Sequence, residues 1–138
     1  MKKLLVEFLG TFFLVLVIAL SGNPFAIGSI LAVMVYMGGG ISGAHYNPAV
    51  SLGIFAVGQL SRKRLLGYWL RQLLGAFAAA ALALWITGVG LIPVPASWVS
   101  LPVALVVEAV FTFALVLVVL EVAVNPANSG NQYYGFAI

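Results

Sequence analysis

Ser42-Gly43-Ala44-His45-Tyr46-Asn47-Pro48-Ala49-Val50 interrupts a long apolar run, and its chemistry is that of a helix beginning abruptly. Asn47 has the side chain of an N-cap, and Pro48 suits the first helical position, where its missing N–H would be an orphan donor. From Pro48 to about residue 60 the chain reads as one short apolar helix, too brief to cross a bilayer, which needs ~20 residues. Before it come Gly38-Gly39-Gly40 and Ser42-Gly43-Ala44, small residues that continue a helix poorly. A loop and half-helix at membrane depth would leave backbone groups unpaired, which hydrocarbon forbids unless the segment lines a wet cavity or is buried in protein. A pore or binding site follows from the stretch itself.

Working outward, composition sets the surroundings. Hydrophobic residues are 64% of the 138, charged residues 7%, and mean hydropathy is +1.19. Soluble domains carry ~25% charged residues, so the chain reads as an integral membrane protein. Long apolar runs favour helices over a barrel, whose strands would alternate over ~10 residues. The net charge of +3 does not point to nucleic acid, because the basic residues sit at helix ends. With no cysteine, one histidine and three separated carboxylates, neither a metal site nor a cofactor is expected.

The expected elements are membrane helices at 4–20, 25–39, 65–86 and 103–124, a re-entrant half-helix at 48–60, and the start of a fifth membrane helix at 133–138, all within one domain. Lys2 and Lys3 before the first helix suggest a signal peptide as an alternative, against which Glu7 inside the apolar run argues. Two crossings separate Lys2-Lys3 from Arg62-Lys63-Arg64, so both clusters lie on one side, by the positive-inside rule the cytoplasm. The half-helix then enters from that side.

Val6–Val17 can be laid on Val107–Val118 with eight of twelve positions identical, including Glu7 with Glu108 and Thr11 with Thr112. An odd number of crossings separates the copies, so the second repeat is inverted in the membrane, an arrangement that places a site where the repeats meet. The second copy reaches Phe136-Ala137-Ile138, the counterpart of Phe25-Ala26-Ile27, where the sequence stops. The rest of the second repeat is expected beyond it. Asn125-Pro126-Ala127 repeats the tripeptide of Asn47 but lies 17 residues after Glu108, against 40 between Glu7 and Asn47. The turn formers that follow it mark a connector, not a second half-helix.

SGAHYNPAVSLG (42–53) resembles the first signature motif of the aquaporin, or major intrinsic protein, family. The resemblance implies an all-α bundle of inverted repeats, incomplete here at the C-terminus, and a passive channel for water and small uncharged solutes such as glycerol. It implies a homotetramer in the cytoplasmic membrane, and no enzyme. Asn47 becomes a fixed donor in the lumen, next to Pro48 and Ala49 at the half-helix tip. The carbonyls of Gly43, Ala44 and His45 become acceptors along the path, and Ile27, twenty residues before Asn47, becomes a constriction residue. As residues, Asn47 can accept a backbone N–H through its oxygen one turn on and leave its amide NH2 facing the lumen, and the His45 ring reads as a hydrogen-bonded core group.

Glu7 and Glu108 carry two readings: proton coupling in an inverted-repeat secondary transporter, or acceptance of backbone N–H groups from the re-entrant loops. The second also follows from the resemblance. A non-transporting fragment is a further alternative for the function. Gly10, Gly67, Gly75 and Ala78–Ala81 read as packing residues, and Gln72 as packing and hydrogen bonding. Arg71 is expected to snorkel, and Trp69, Trp85 and Trp98 to sit in interfacial belts.

Overall fold

A computed structural model describes residues 1–138. The order is α1 (Lys2–Ser21), α2 (Pro24–Ser42), α3 (Pro48–Ala56), α4 (Arg62–Thr87), α5 (Leu101–Val119, continuing as a π turn over Leu120–Val124), a 3₁₀ turn (Pro126–Asn128) and α6 (Tyr134–Ala137). Four helices are long and apolar enough to cross a membrane: α1, α2, α4 and Leu101–Val124. At ~1.5 Å per residue, nine-residue α3 is about 14 Å long, less than half a bilayer core.

Local chemistry explains the ends. Asn23 caps α2, accepting from the N–H groups of Phe25 and Ala26 with Pro24 just inside. Ser61 caps α4. Gly22, Gly43 and Gly88 close α1, α2 and α4 in the left-handed conformation that costs glycine least. The expected end of α2 at residue 39 is three residues short, since the helix runs through Gly38-Gly39-Gly40 to Ser42. Each glycine costs a helix about 1 kcal/mol, but here two of them make room. A Cβ on Gly38 would overlap Tyr46 and Val6, and one on Gly39 would press on Tyr134. Conversely α3 stops at Ala56, short of residue 60, because Gly58 turns left-handed (φ 77°). The helix expected at 65 begins at Arg62, and the one expected at 103 begins at Leu101.

α1 packs along α4 and α2, and α3 is wedged between α4 and α5. Gly75 lets α4 approach the backbone of α1 at Phe8 and Phe12, and Gly53 lets α3 meet Val116. One apolar cluster, Val50, Ile54, Leu60, Leu65, Tyr68 and Val119, ties α3 to its neighbours. Another, Val6, Val35, Ala44 and Tyr46, holds the loop against α1 and α2. Only 22 of 138 residues are buried, and many large apolar side chains, Phe77, Trp98 and Phe111 among them, are exposed.

Candidate functional site

The segment joining α2 to α3 is five residues long, Gly43 to Asn47, and three of them are left-handed: Gly43 (φ 94°), Ala44 (φ 51°) and Tyr46 (φ 49°). For a residue with a Cβ this conformation costs about 1–2 kcal/mol. It persists here because the surrounding contacts determine it. The twist sorts the polar backbone. Its N–H groups turn into the protein: Gly43 to the Gly39 carbonyl, Ala44 to Ser42 Oγ, His45 to Glu7 Oε1 at 3.1 Å and Tyr46 to Glu7 Oε2 at 2.8 Å. The flanking carbonyls are held too, Ser42's by the Tyr68 hydroxyl and Tyr46's by Thr11 Oγ1. Those of Gly43, Ala44 and His45 between them accept nothing from the protein.

Glu7 is the centre of this arrangement. It is fully buried and accepts four hydrogen bonds, from Ser42 Oγ (2.6 Å), the N–H groups of His45 and Tyr46, and Gln72 Nε2 (2.9 Å). A buried carboxylate with all its lone-pair directions engaged can stay in a dry environment. The Gln72 amide also donates to Ser51 Oγ at 3.0 Å, which in turn meets His45 Nδ1 at 3.0 Å. Ser51 belongs to α3 and Gln72 to α4, so the network joins α1, the loop, the half-helix and α4. The His45 ring stands edge-on to Tyr68, with centroids 5.0 Å apart. Tyr46 fills the space left by Gly10 and Gly38, and its hydroxyl donates to the Met34 carbonyl.

At the tip, Asn47 is extended (φ −143°) and its Oδ1 accepts from Ala49 N–H at 2.8 Å. The bond goes to the residue two positions on, the second of the helix, not a full turn on as expected. The Asn47 amide NH2 bonds to nothing in the chain, Pro48 is exposed, and Ala49 is half-buried. Two cavities, about 600 and about 370 Å³, share Gly39, Gly40 and Gly43 as walls, and His45 lines the smaller.

Some expected site residues lie apart. Ile27 is half-buried in the first turns of α2 and belongs to neither apolar cluster. Glu108 stands exposed two turns into α5 with no hydrogen-bond partner. Asn125 opens only a three-residue 3₁₀ turn.

Other residues enter the site that sequence reasoning left out or gave a blander task. Trp69, expected in an interfacial belt, donates from Nε1 to the Pro48 carbonyl at 2.9 Å and so grips the half-helix from α4. Ser42, Ser51, Thr11 and Tyr68 are structural members of the network. Gly10, read as packing alone, is the seat of Tyr46. Gln72 carried the usable signal, a side-chain amide well inside a membrane-spanning helix, which needs a partner.

Residues 1–138 match the Major intrinsic protein family over their whole length. The chain belongs to the major intrinsic protein family. It is an all-α, multi-pass membrane protein, and its short α3 opens at Pro48 behind the capping Asn47. This major intrinsic protein is 44% identical over 97 residues to Aquaporin Z of Brucella melitensis, a match covering 59% of the chain and 42% of the relative. It is 35% identical over 140 residues to Glycerol uptake facilitator protein-like 6 of Lactiplantibacillus plantarum, covering 91% and 65%. With Aquaporin TIP1-1 of Arabidopsis thaliana it shares 36% over 153 residues, covering 93% and 59%. The chain spans about half the length of the curated relatives it matches.

Proposed function

We propose that this major intrinsic protein contributes the first half of a passive channel for water and small uncharged solutes. The observation that carries the reading is the unspent amide of Asn47 at the half-helix tip, beside three consecutive carbonyls without protein partners. A donor at the tip and acceptors along the loop form a hydrogen-bonding track for a neutral molecule. The half-helix N-terminus adds about half a positive charge. A water there turns its oxygen to Asn47 and cannot accept a proton from the neighbour on that side, which interrupts the proton relay. Cations meet a positive potential with too few acceptors to replace their hydration shells. The solute passes unchanged, so no side chain has a catalytic task.

In this reading Gly43, Ala44 and His45 offer their carbonyls to the path, and Pro48 and Ala49 shape the tip. Ile27 gives an apolar wall farther along. Glu7 is a scaffold for the loop, and Glu108 its counterpart for the second repeat. Four donors converge on Glu7, which speaks for holding the loop over shuttling protons. The names of the relatives favour a channel over a coupled transporter, and include both aquaporins and a glycerol facilitator. Lys2, Lys3 and Arg62–Arg64 would lie in the cytoplasm, in a homotetramer of the cell membrane.

Stopped-flow light scattering on proteoliposomes of the full-length protein tests it. Osmotic shrinkage should accelerate without any pH gradient, and a glycerol gradient should dissipate faster than in empty vesicles if the solute range extends that far. Shrinkage at the empty-vesicle rate in both experiments defeats the proposal.

A further inference from the structure

The smaller cavity, about 370 Å³, is lined by Lys3 of α1, Arg64 of α4, Gln59 from the turn between α3 and α4, and His45 of the loop. No carboxylate lines it. Glu7 already accepts four hydrogen bonds, Glu121 receives the amides of Asn125 and Asn128, and Glu108 stands on α5. Neither the Lys3 ammonium nor the Arg64 guanidinium has a hydrogen-bond or ion-pair partner in the chain. Two cations from different helices thus share one concavity without a counter-charge. A cleft walled by one sign of charge concentrates ions of the other sign.

The His45 ring supplies an independent observation. It is only 7% exposed. Its Nδ1 meets Ser51 Oγ at 3.0 Å, and that oxygen already receives the Gln72 amide. The Ser51 hydroxyl proton has no other acceptor, so it goes to Nδ1, which is the unprotonated ring nitrogen. The ring proton therefore sits on Nε2. Nε2 has no partner in the chain, and it lies on the Gly43 side of the ring, 3.1 Å from where a Cβ on Gly43 would stand. Gly43 and His45 are both walls of the cavity. A nearly buried N–H donor is thus left unpaired and aimed into the space that holds the two cations, where it calls for an acceptor.

We infer that Lys3, Gln59, Arg64 and the Nε2–H of His45 form a binding site for a soluble phosphate, either the inorganic ion or a monoester of a small alcohol. The guanidinium brings a fork of donors, the ammonium a mobile point charge, and the imidazole and carboxamide one N–H group each. Such a set suits an acceptor with several oxygens better than a spherical anion. The cavity is about tenfold larger than the ~30 Å³ share of one water, which leaves room for the ester's carbon skeleton. Gly43 and His45 also belong to the proposed path, yet binding is measured without transport, so the two readings fail separately.

The chain has a single histidine, so nitrogen-15-labelled histidine gives one pair of ring signals. In maltoside micelles the parent chain should show the Nε2–H tautomer. Inorganic phosphate should then shift Nε2 saturably, with a midpoint of about 1 mM, and sodium chloride at equal ionic strength should not. Arg64→Gln should raise the midpoint about tenfold, the scale of a charge-assisted hydrogen bond, and Arg64→Lys should recover part of that loss. Lys3→Gln should raise it about threefold, as for an exposed ion pair. Lys63→Gln removes the same charge outside the cavity and should leave the midpoint unchanged. Both Lys3 and Arg64 are exposed, so the variants should keep the circular dichroism of the parent. An Nδ1–H tautomer, no saturable shift, or an equal response to chloride would each overturn the inference. So would an equal loss in Lys63→Gln, which means diffuse charge, or a shift caused by phosphatidylglycerol in the micelle and not by phosphate, which means a lipid headgroup.

Discussion

Asn47-Pro48-Ala49 and Asn125-Pro126-Ala127 are the same three residues with nearly the same cap. The Asn oxygen accepts from the Ala N–H at 2.8 Å in the first and 3.0 Å in the second. Everything beyond the cap differs. The first opens a nine-residue helix locked by Ser51, Trp69 and the Glu7 network, and its amide NH2 is unspent. The second opens a single 3₁₀ turn, and its amide is consumed by Glu121 at 3.0 Å. A tripeptide thus specifies a cap. Whether the cap presents a free donor depends on the carboxylate nearby, which faces the loop in one region and the asparagine itself in the other.

Exchanging or weakening those carboxylates should separate the two regions most. Glu7→Gln places an NH2 among donors and leaves buried N–H groups unpaired, at a cost of about 3–5 kcal/mol. Fluorescence-detected size-exclusion chromatography should show little folded protein. Glu121→Gln, at an exposed turn, should elute like the parent, and a comparable loss in both would erase the distinction drawn here. Gly10→Val drives a side chain into the Tyr46 ring and should lower stability by about 1–3 kcal/mol. Gly28→Ala, with open space around it, should raise or leave unchanged the melting temperature. Trp69→Phe keeps the ring and deletes the bond to the Pro48 carbonyl, for about 1 kcal/mol; an unchanged denaturation midpoint would mean the half-helix does not need that grip.

The smallest expected change in stability, and the most informative for function, is Asn47→Asp. Aspartate caps helices as well as asparagine does, so thermal unfolding should stay within about 0.5 kcal/mol of the parent. In the full-length protein the donor becomes an acceptor and cation exclusion should weaken, measured as sodium flux into proteoliposomes. Asn125→Asp should leave that flux at the parent level. Equal fluxes in the two variants would remove Asn47 from the path.

Much of this was readable from residues whose chemistry is local. A capping asparagine before proline, a helix too short to span, and a lone carboxylate in an apolar run each announce a need that neighbouring residues must meet. What was not readable depends on partners far along the chain. Gly38-Gly39-Gly40 looked like a helix end because propensity is a local quantity, whereas the helix continues to make room for Tyr46 and Tyr134. Trp69 and Ser51 had ordinary alternatives as an interfacial ring and a helix hydroxyl, and only the crossing of α4 over α3 joins them to the site. The π turn at Leu120–Val124 left no mark in composition that a plain helix would lack.

Gln72 has a consequence for biogenesis. Its amide completes the hydrogen bonds of both Glu7 and Ser51, yet it emerges from the ribosome 65 residues after the first and 21 after the second. A nascent chain that has exposed α1, α2 and α3 but not the middle of α4 can form the Ser42, His45 and Tyr46 bonds to Glu7, but it lacks the Gln72 amide that ties Glu7 to Ser51 of the half-helix. Locking of the short helix in the membrane should await synthesis of the segment that follows, which makes this chain a timed assembly rather than a string of independently inserted pieces.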